Sequence, residues 1–205
     1  MLRRLTCLLA AIFMATGALW AEEEKKAEPA AKKVEPAAKF VKTDEKTVGN
    51  WKGTYGAEGA IIVADSTNAP KYGTVTPADK EDFTWADSTD EERALKKAAA
   101  DAKDRLAACW YSGTAFDIDI NLTDDAEHQV AIYCLDWDTE TREMTVEVQH
   151  ADTGAKLDTQ TVKDCHGGKY LVWNVKGHVK LHITKVGDPN AVVSGVFFDA
   201  AAKAK

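Results

Sequence analysis

The chain has no excess of basic residues: 33 Asp and Glu stand against 26 Lys and Arg over 205 residues, for a formal net charge of −7. A nucleic-acid binder needs a basic face to neutralise phosphates, so that class is excluded. Cysteine is scarce, and 4 in a chain of this length are too few for a disulfide-dense scaffold. Beyond Leu19 no segment approaches the ~18 consecutive apolar residues of a membrane-spanning helix. The catalytic motifs that can be read locally are missing too: there is no Gly-x-Ser-x-Gly, no phosphate-cradling loop and no His-Glu-x-x-His. Apolar residues are not lacking. At 45% they hold the ordinary share of a globular protein, which excludes wholesale disorder.

The N-terminus reads as an address. Arg3 and Arg4 give a basic start, Leu8 to Leu19 is apolar apart from Thr16, and the small residues Ala18 and Ala21 follow. Basic, apolar, small is the order of a secretory signal peptide, expected over residues 1–21 and implying export to a periplasmic or extracellular space. The competing reading is a membrane anchor, for which the apolar stretch is short of the ~20 residues needed. Cys7 precedes the apolar run instead of ending it, a poor place for lipidation. Removing residues 1–21 takes away two Arg and no acid, moving the net charge from −7 to −9.

Residues 22–48 open with Glu-Glu-Glu-Lys-Lys and then repeat Ala, Pro, Lys, Glu and Val loosely. Before Phe40 almost nothing there is large and apolar, so ordering it costs backbone entropy without hydrophobic return. Pro29 and Pro36 interrupt any helix. The expectation is a disordered, semi-extended tether, either a spacer holding the domain off a surface or a solvated tail. Residues 200–205 are expected to be a disordered tail.

The span between, 49–199, reads as one all-β domain. Phe116, Ile118 and Ile120 alternate with Asp117, Asp119 and Asn121; Met144, Val146 and Val148 with Thr145, Glu147 and Gln149; Val179, Leu181 and Ile183 with His178, Lys180 and His182. Turn residues bound each run, as at Asp152-Thr153-Gly154 and Gly187-Asp188-Pro189. Short alternating strands between turns predict a β-sandwich or jelly roll. Tyr170–Val175 and Val192–Phe198 are more continuously apolar, as strands buried on both faces are. One segment breaks the pattern. Thr89-Asp90-Glu91-Glu92 is a capping box followed by Ala, Lys and Leu, which predicts one inserted helix near 90–106.

Few residues announce chemistry. Asp117-Ile118-Asp119-Ile120-Asn121 opens like a calcium loop, but its sixth position is Leu122 instead of Gly and its twelfth is His128 instead of Glu. No cofactor is expected, although calcium remains a candidate at a loop such as Asp124-Asp125. His178 and His182 have helical zinc spacing, yet on a strand they stand about 13 Å apart. Cys165-His166 could suggest a thiol beside its base, but neighbours on a strand point to opposite faces. Two carboxylates could still meet in space for glycoside hydrolysis, and nothing local selects a pair. Of the three cysteines left after processing, Cys109 and Cys134 sit beside aromatics in expected strands. They are the candidate disulfide, the alternative being buried free thiols.

The aromatic residues remain. Trp110, Trp137 and Trp173 fall in expected strands and read as core. Trp51, Tyr55 and Trp85 fall in turn-rich sequence and are the candidate ligand-binding residues, because exposed rings stack on the flat C–H faces of sugars while nearby polar groups bond the hydroxyls.

An ordered set of motifs runs through the chain: Gly49-Asn50-Trp51-Lys52-Gly53-Thr54-Tyr55-Gly56, Ala108-Cys109-Trp110-Tyr111-Ser112, Tyr133-Cys134-Leu135-Asp136-Trp137-Asp138, and Asn190-Ala191-Val192-Val193-Ser194-Gly195-Val196-Phe197-Phe198. Over about residues 40–199 it resembles a module of secreted bacterial proteins, sometimes appended to larger extracellular enzymes or repeat proteins. The resemblance implies a galactose-binding-like β-sandwich without catalysis, and it transfers no binding residues. The leading expectation is therefore an exported, non-catalytic binding or adhesion module with carbohydrate or a cell-surface component as partner. The alternatives are a structural or protein-interaction module, and a carboxylate-dependent glycoside hydrolase.

Overall fold

The computed structural model describes residues 34–201. The expected signal peptide at 1–21, the first part of the expected tether and residues 202–205 lie outside the described residues. Fifteen strands and no helix make up the described span. A six-stranded antiparallel sheet runs β1 (Ala37–Asp44), β12 (Lys169–Lys176), β9 (His128–Cys134), β15 (Gly195–Ala200), β2 (Gly59–Ile62), β3 (Ser66–Asn68). A five-stranded sheet runs β11 (Lys156–Val162), β10 (Met144–His150), β13 (His178–Lys185), β8 (Ala115–Leu122), β4 (Gly73–Ala78). A third, smaller sheet joins β14 (Ala191–Val193), β7 (Arg105–Ser112) and β5 (Glu81–Thr89), with the two-residue β6 (Leu95–Lys96) on β7.

The period-two alternation sets the sandwich. Ile118 pairs with Leu181 and Leu181 with Val148, so β8, β13 and β10 turn one apolar row inward. Those inward residues are fully buried, while Asp117, Asp119, Lys180 and His182 occupy the outer face. β12 and β15 are buried on both faces, as the continuous apolar sequence of Tyr170–Val175 and Val192–Phe198 predicts, and β9 between them is buried on both faces as well. Tyr133, Tyr170 and Phe197 pack at their centre as tilted rings, 4.5 and 5.7 Å between centroids. The backbone passes close to that cluster at Gly168, whose φ is +84°. A Cβ there would fall 1.6 Å from Tyr133 Oη, so only glycine fits.

Two expectations fail. The tether gives way to structure well before residue 49: β1 pairs along the whole of β12, and Phe40 sets its ring edge-on to Trp173 at 5.5 Å. One large apolar ring and a free sheet edge are enough to recruit a segment whose composition alone argues against order. The helix expected near 90–106 is absent. Gly49 N–H donates to Glu92 O at 3.0 Å, and Arg105 Nη1 donates to Ala94 O at 3.0 Å. Carbonyls that a helix would use internally are taken, and Leu95 pairs with Leu106 as strand. The capping hydroxyl of Thr89 does accept from Glu91 N–H at 3.3 Å, but it caps a turn. Tertiary partners override the Ala and Lys propensities.

Candidate binding face

The three candidate rings part company. Trp51 is 7% exposed and Tyr55 3%, so neither is an exposed stacking surface. Trp51 Nε1–H donates to Lys96 O at 2.7 Å and its ring tilts against Phe197. Tyr55 stacks on Tyr170 at 4.5 Å and donates its hydroxyl to Asp44 at 2.8 Å. Burial pushes the Asp44 carboxyl up, but hydrogen bonds from Thr47, Tyr55 and the Lys46 amide outweigh it and hold it well below the carboxylate range. Tyr55 thus ties the end of β1 to the core, and Trp51 ties β6 to it. Trp51 and Tyr55 border a cavity of about 210 Å³ with Gly56 and Asp199, to which they offer little ring surface, whereas half-buried Trp85 lines a different one.

That cavity holds about 220 Å³ and sits on one face of the three-stranded sheet. Its walls are Phe83, Trp85, Cys109 and Tyr111, with Asp138, Arg142, Pro189 and Asn190 completing it. Strand alternation explains the grouping. Phe83 pairs with Cys109 and Glu81 with Tyr111, so Phe83, Trp85, Cys109 and Tyr111 share a face, while Asp82 and Trp110 take the other. Phe83 is 49% exposed, and it meets Trp85 edge-on at 5.9 Å and Tyr111 edge-on at 6.4 Å. Tyr111 Oη donates to Glu81 at 2.7 Å, which pushes its pKa up and leaves the phenolic oxygen as an acceptor.

The polar half is built around Arg142, whose side chain is 2% exposed. Its Nη1 donates to Asp136 and, at 2.6 Å, to Asp138, and its Nε donates to Asn190 Oδ1 at 2.8 Å. The guanidinium carbon lies 5.4 Å from the centre of the Trp85 ring. Nη2 takes no partner among the described residues. Asp136 is buried and accepts from Thr139 N–H, Thr139 Oγ1 and Arg142 N–H as well. Burial pushes its carboxyl up; the bonds from Thr139 and Arg142 prevail and leave it below the usual range. Asp138 is 48% exposed, and its Oδ2 is unbonded among the described residues. The face therefore offers aromatic walls, the donors Arg142 Nη2 and Asn190 Nδ2, and acceptors on Asp138 and Tyr111.

The other candidates resolve as follows. Cys109, Cys134 and Cys165 are free and buried, so the candidate Cys109–Cys134 bridge is not formed. Burial pushes Cys109 up to about 12 and Cys165 to about 11, which removes the nucleophile from a Cys165-His166 dyad. His178 reaches Asp119 on the diagonal, since Asn121 is its partner in register, and His182 meets Asp117 directly opposite, so each has its own carboxylate. Asp124 accepts from His128 at 3.0 Å and from Ala126 N–H. Among the described residues no three His, Cys, Asp or Glu side chains converge as a metal site. Among the same residues no helix is long and apolar enough to cross a membrane. Trp173 is core, and Trp110 is buried; Trp137 is half-buried beneath the Arg93 guanidinium at 4.2 Å.

Sequence reasoning missed Phe83, Tyr111 and Arg142. One signal was available: Phe83 and Trp85 stand at i and i+2 in Glu-Asp-Phe-Thr-Trp-Ala-Asp, a strand presenting two rings on one side among acids.

No protein-family model and no curated protein matches the chain. Solved structures to which it is similar include CBM35 from Paenibacillus barcinonensis, with 15% identity, TM-score 0.35, and coverage of 62% of this chain and 99% of that one. A family 35 carbohydrate binding module from Clostridium thermocellum matches at 14% identity and TM-score 0.33 over 72% of this chain and 96% of that one. The exo-β-1,3-galactanase of Phanerochaete chrysosporium matches at 17% identity and TM-score 0.33, over 64% of this chain but 30% of the enzyme. Similarity of this degree assigns no ligand here.

Proposed function

We propose that this chain is an exported, non-catalytic binding module that takes a carbohydrate on the Phe83–Trp85–Tyr111 face. One observation carries the reading: a half-exposed phenylalanine and two further rings wall a small cavity also lined by a buried arginine, whose Nη2 has no protein partner among the described residues. Contiguous exposed apolar surface rimmed by polar groups is the usual mark of a contact surface. Arg142 Nη2 is not among the buried polar atoms left without a partner, so a ligand hydroxyl can take the place of water on it. A pyranose suits both, with C–H faces for the rings and hydroxyls for Arg142, Asn190 and Asp138. The face departs from the three rings expected from sequence and keeps only Trp85 of them.

Asp136 is unsuited to the acid of a glycoside hydrolase. A glycosidase needs one carboxyl able to hold a proton as general acid. Asp136 is held low by Arg142 and Thr139, the wrong direction for that role. Export rests on Arg3, Arg4 and the apolar run after them.

A glycan-array screen of the purified chain, with and without calcium, tests the reading beside Phe83→Ala and Trp85→Ala. Retention of the wild-type chain on one glycan class and its loss in both variants, with melting temperatures kept, is the expected result. Retention on no class, or equal retention of all three proteins, overturns it.

A further inference from the structure

We infer that the ligand is a single-ring sugar carrying a free amine, its ammonium bonded by Asp138 and its ring stacked on Phe83 and Trp85; this rests on the carbohydrate reading above. Size and charge point the same way.

The cavity of about 220 Å³ falls below the ~300 Å³ at which sites for drug-sized ligands begin, so it has room for one ring and not for a chain laid across it. Its lining holds one guanidinium, Arg142, and one carboxylate, Asp138; two further carboxylates stand outside the lining, Asp136 bonded to Arg142 and Glu81 bonded to Tyr111. The Arg142 charge is already met twice, by buried Asp136 and by Asp138. The surplus is negative, and its reachable part is Asp138, 48% exposed and with one oxygen unbonded. Glu81 holds the Tyr111 hydroxyl and keeps its charge at the edge of the aromatic wall.

A carboxylated sugar placed here faces two uncompensated like charges. An uncharged sugar finds hydroxyl partners but leaves the surplus unmet. A protonated amine finds the free oxygen of Asp138 and, beside it, the negative faces of aromatic rings, which attract cations within about 6 Å. The bond to Asp138 is charge-assisted. One added ion pair near a protein surface corresponds to a preference of about fivefold for the amine over its uncharged counterpart. The same count gives about fivefold against a carboxylate.

The test is calorimetric or saturation-transfer titration of the purified chain at about pH 6 and low salt. Probes are glucosamine and galactosamine, their N-acetylated forms, and glucuronate and galacturonate. Ethanolamine, an ammonium without the ring, is the remaining arm. The expected order in at least one stereochemical series is amine, then N-acetylated form, then uronate, with ethanolamine weakest. Asp138→Asn, whose fold is checked by near-UV circular dichroism, compresses amine and N-acetylated form to within about twofold. Equal affinity for amine and N-acetylated form, a uronate binding best, or an order unchanged by Asp138→Asn overturns the inference and leaves the carbohydrate reading standing. Ethanolamine as tight as the hexosamines overturns the need for a ring. Silence from every sugar overturns the inference together with the reading beneath it.

Discussion

Arg142 Nε donates to Asn190 Oδ1 at 2.8 Å, and that bond decides which way the Asn190 amide faces. An N–H needs an acceptor, so Oδ1 is turned to the guanidinium and Nδ2 is left as a donor at the cavity. Asn190→Asp keeps an acceptor for Arg142 but deletes the donor. The expected outcome is a melting temperature close to wild type and an affinity lowered about tenfold for the uncharged N-acetylated sugars, on which the added charge exerts no net pull. Calorimetry and a thermal melt on the same sample check both halves.

Arg142 also closes the loop from Asp136 to itself through bonds to Asp136, Asp138 and Thr139. Removing one member of a buried ion pair strands the other. Arg142→Met should therefore lower unfolding free energy by about 3–5 kcal/mol, read from urea denaturation. Adding Asp136→Asn to it should recover part of the loss, because the stranded charge is gone.

Phe83 and Trp173 are predicted to behave oppositely on truncation. Phe83→Ala removes a half-exposed ring and should cost less than about 1 kcal/mol of stability while abolishing ligand retention. Trp173→Ala empties a fully buried site that Phe40 packs on, and should cost about 3–5 kcal/mol. Chemical denaturation of both variants separates a binding ring from a core ring.

The lowered carboxyls fix the direction of acid sensitivity. Asp44 and Asp136 both have folded pKa values below their unfolded ones. Each contributes its full stability above the unfolded value, about pH 4, and loses it as pH falls toward the folded value. Stability should be flat from about pH 7 to 5 on account of these two groups and decline below about pH 4. In Asp136→Asn the acid decline should be shallower. Melting temperature against pH is the measurement.

The thiols are predicted to be silent in the native state. Cys109, Cys134 and Cys165 are buried, and burial holds their pKa values up, to about 12 for Cys109 and about 11 for Cys165. At about pH 8 the folded chain should resist Ellman's reagent, whereas residues 22–205 should yield three reactive thiols in guanidinium. Reaction of Cys109 in the folded chain would mean that the aromatic wall opens.

The architecture was legible because period-two alternation is a strong local signal wherever one face of a strand is buried, as at Ile118, Leu181 and Val148. The helix expected near 90–106 was a misreading of the same kind of local signal, since Gly49, far off in sequence, and Arg105, at the other end of the span, claim its carbonyls. The candidate face was half legible. Trp85 could be named from its polar surroundings, but a turn-rich context says nothing of whether a ring points out. Trp51 and Tyr55 are drawn under by Phe197 and Tyr170, which come more than a hundred residues later. Arg142 was invisible for a further reason: its partners Asp136 and Asp138 looked like ordinary turn acids, and only the folded loop brings Asn190 to it.

The central claim is that ligand meets the chain at Trp85 and not at the other candidate rings. Nitrogen-edited NMR of the tryptophan indoles during titration with the glycan retained on the array tests it most directly. Trp51 and Trp173 have their indole N–H bonded inside the fold, to Lys96 O and Asp158 Oδ2. The account predicts that the Trp85 indole signal shifts on saturation while those of Trp51 and Trp173 stay in place. A shift at Trp51 with Trp85 unmoved would contradict it.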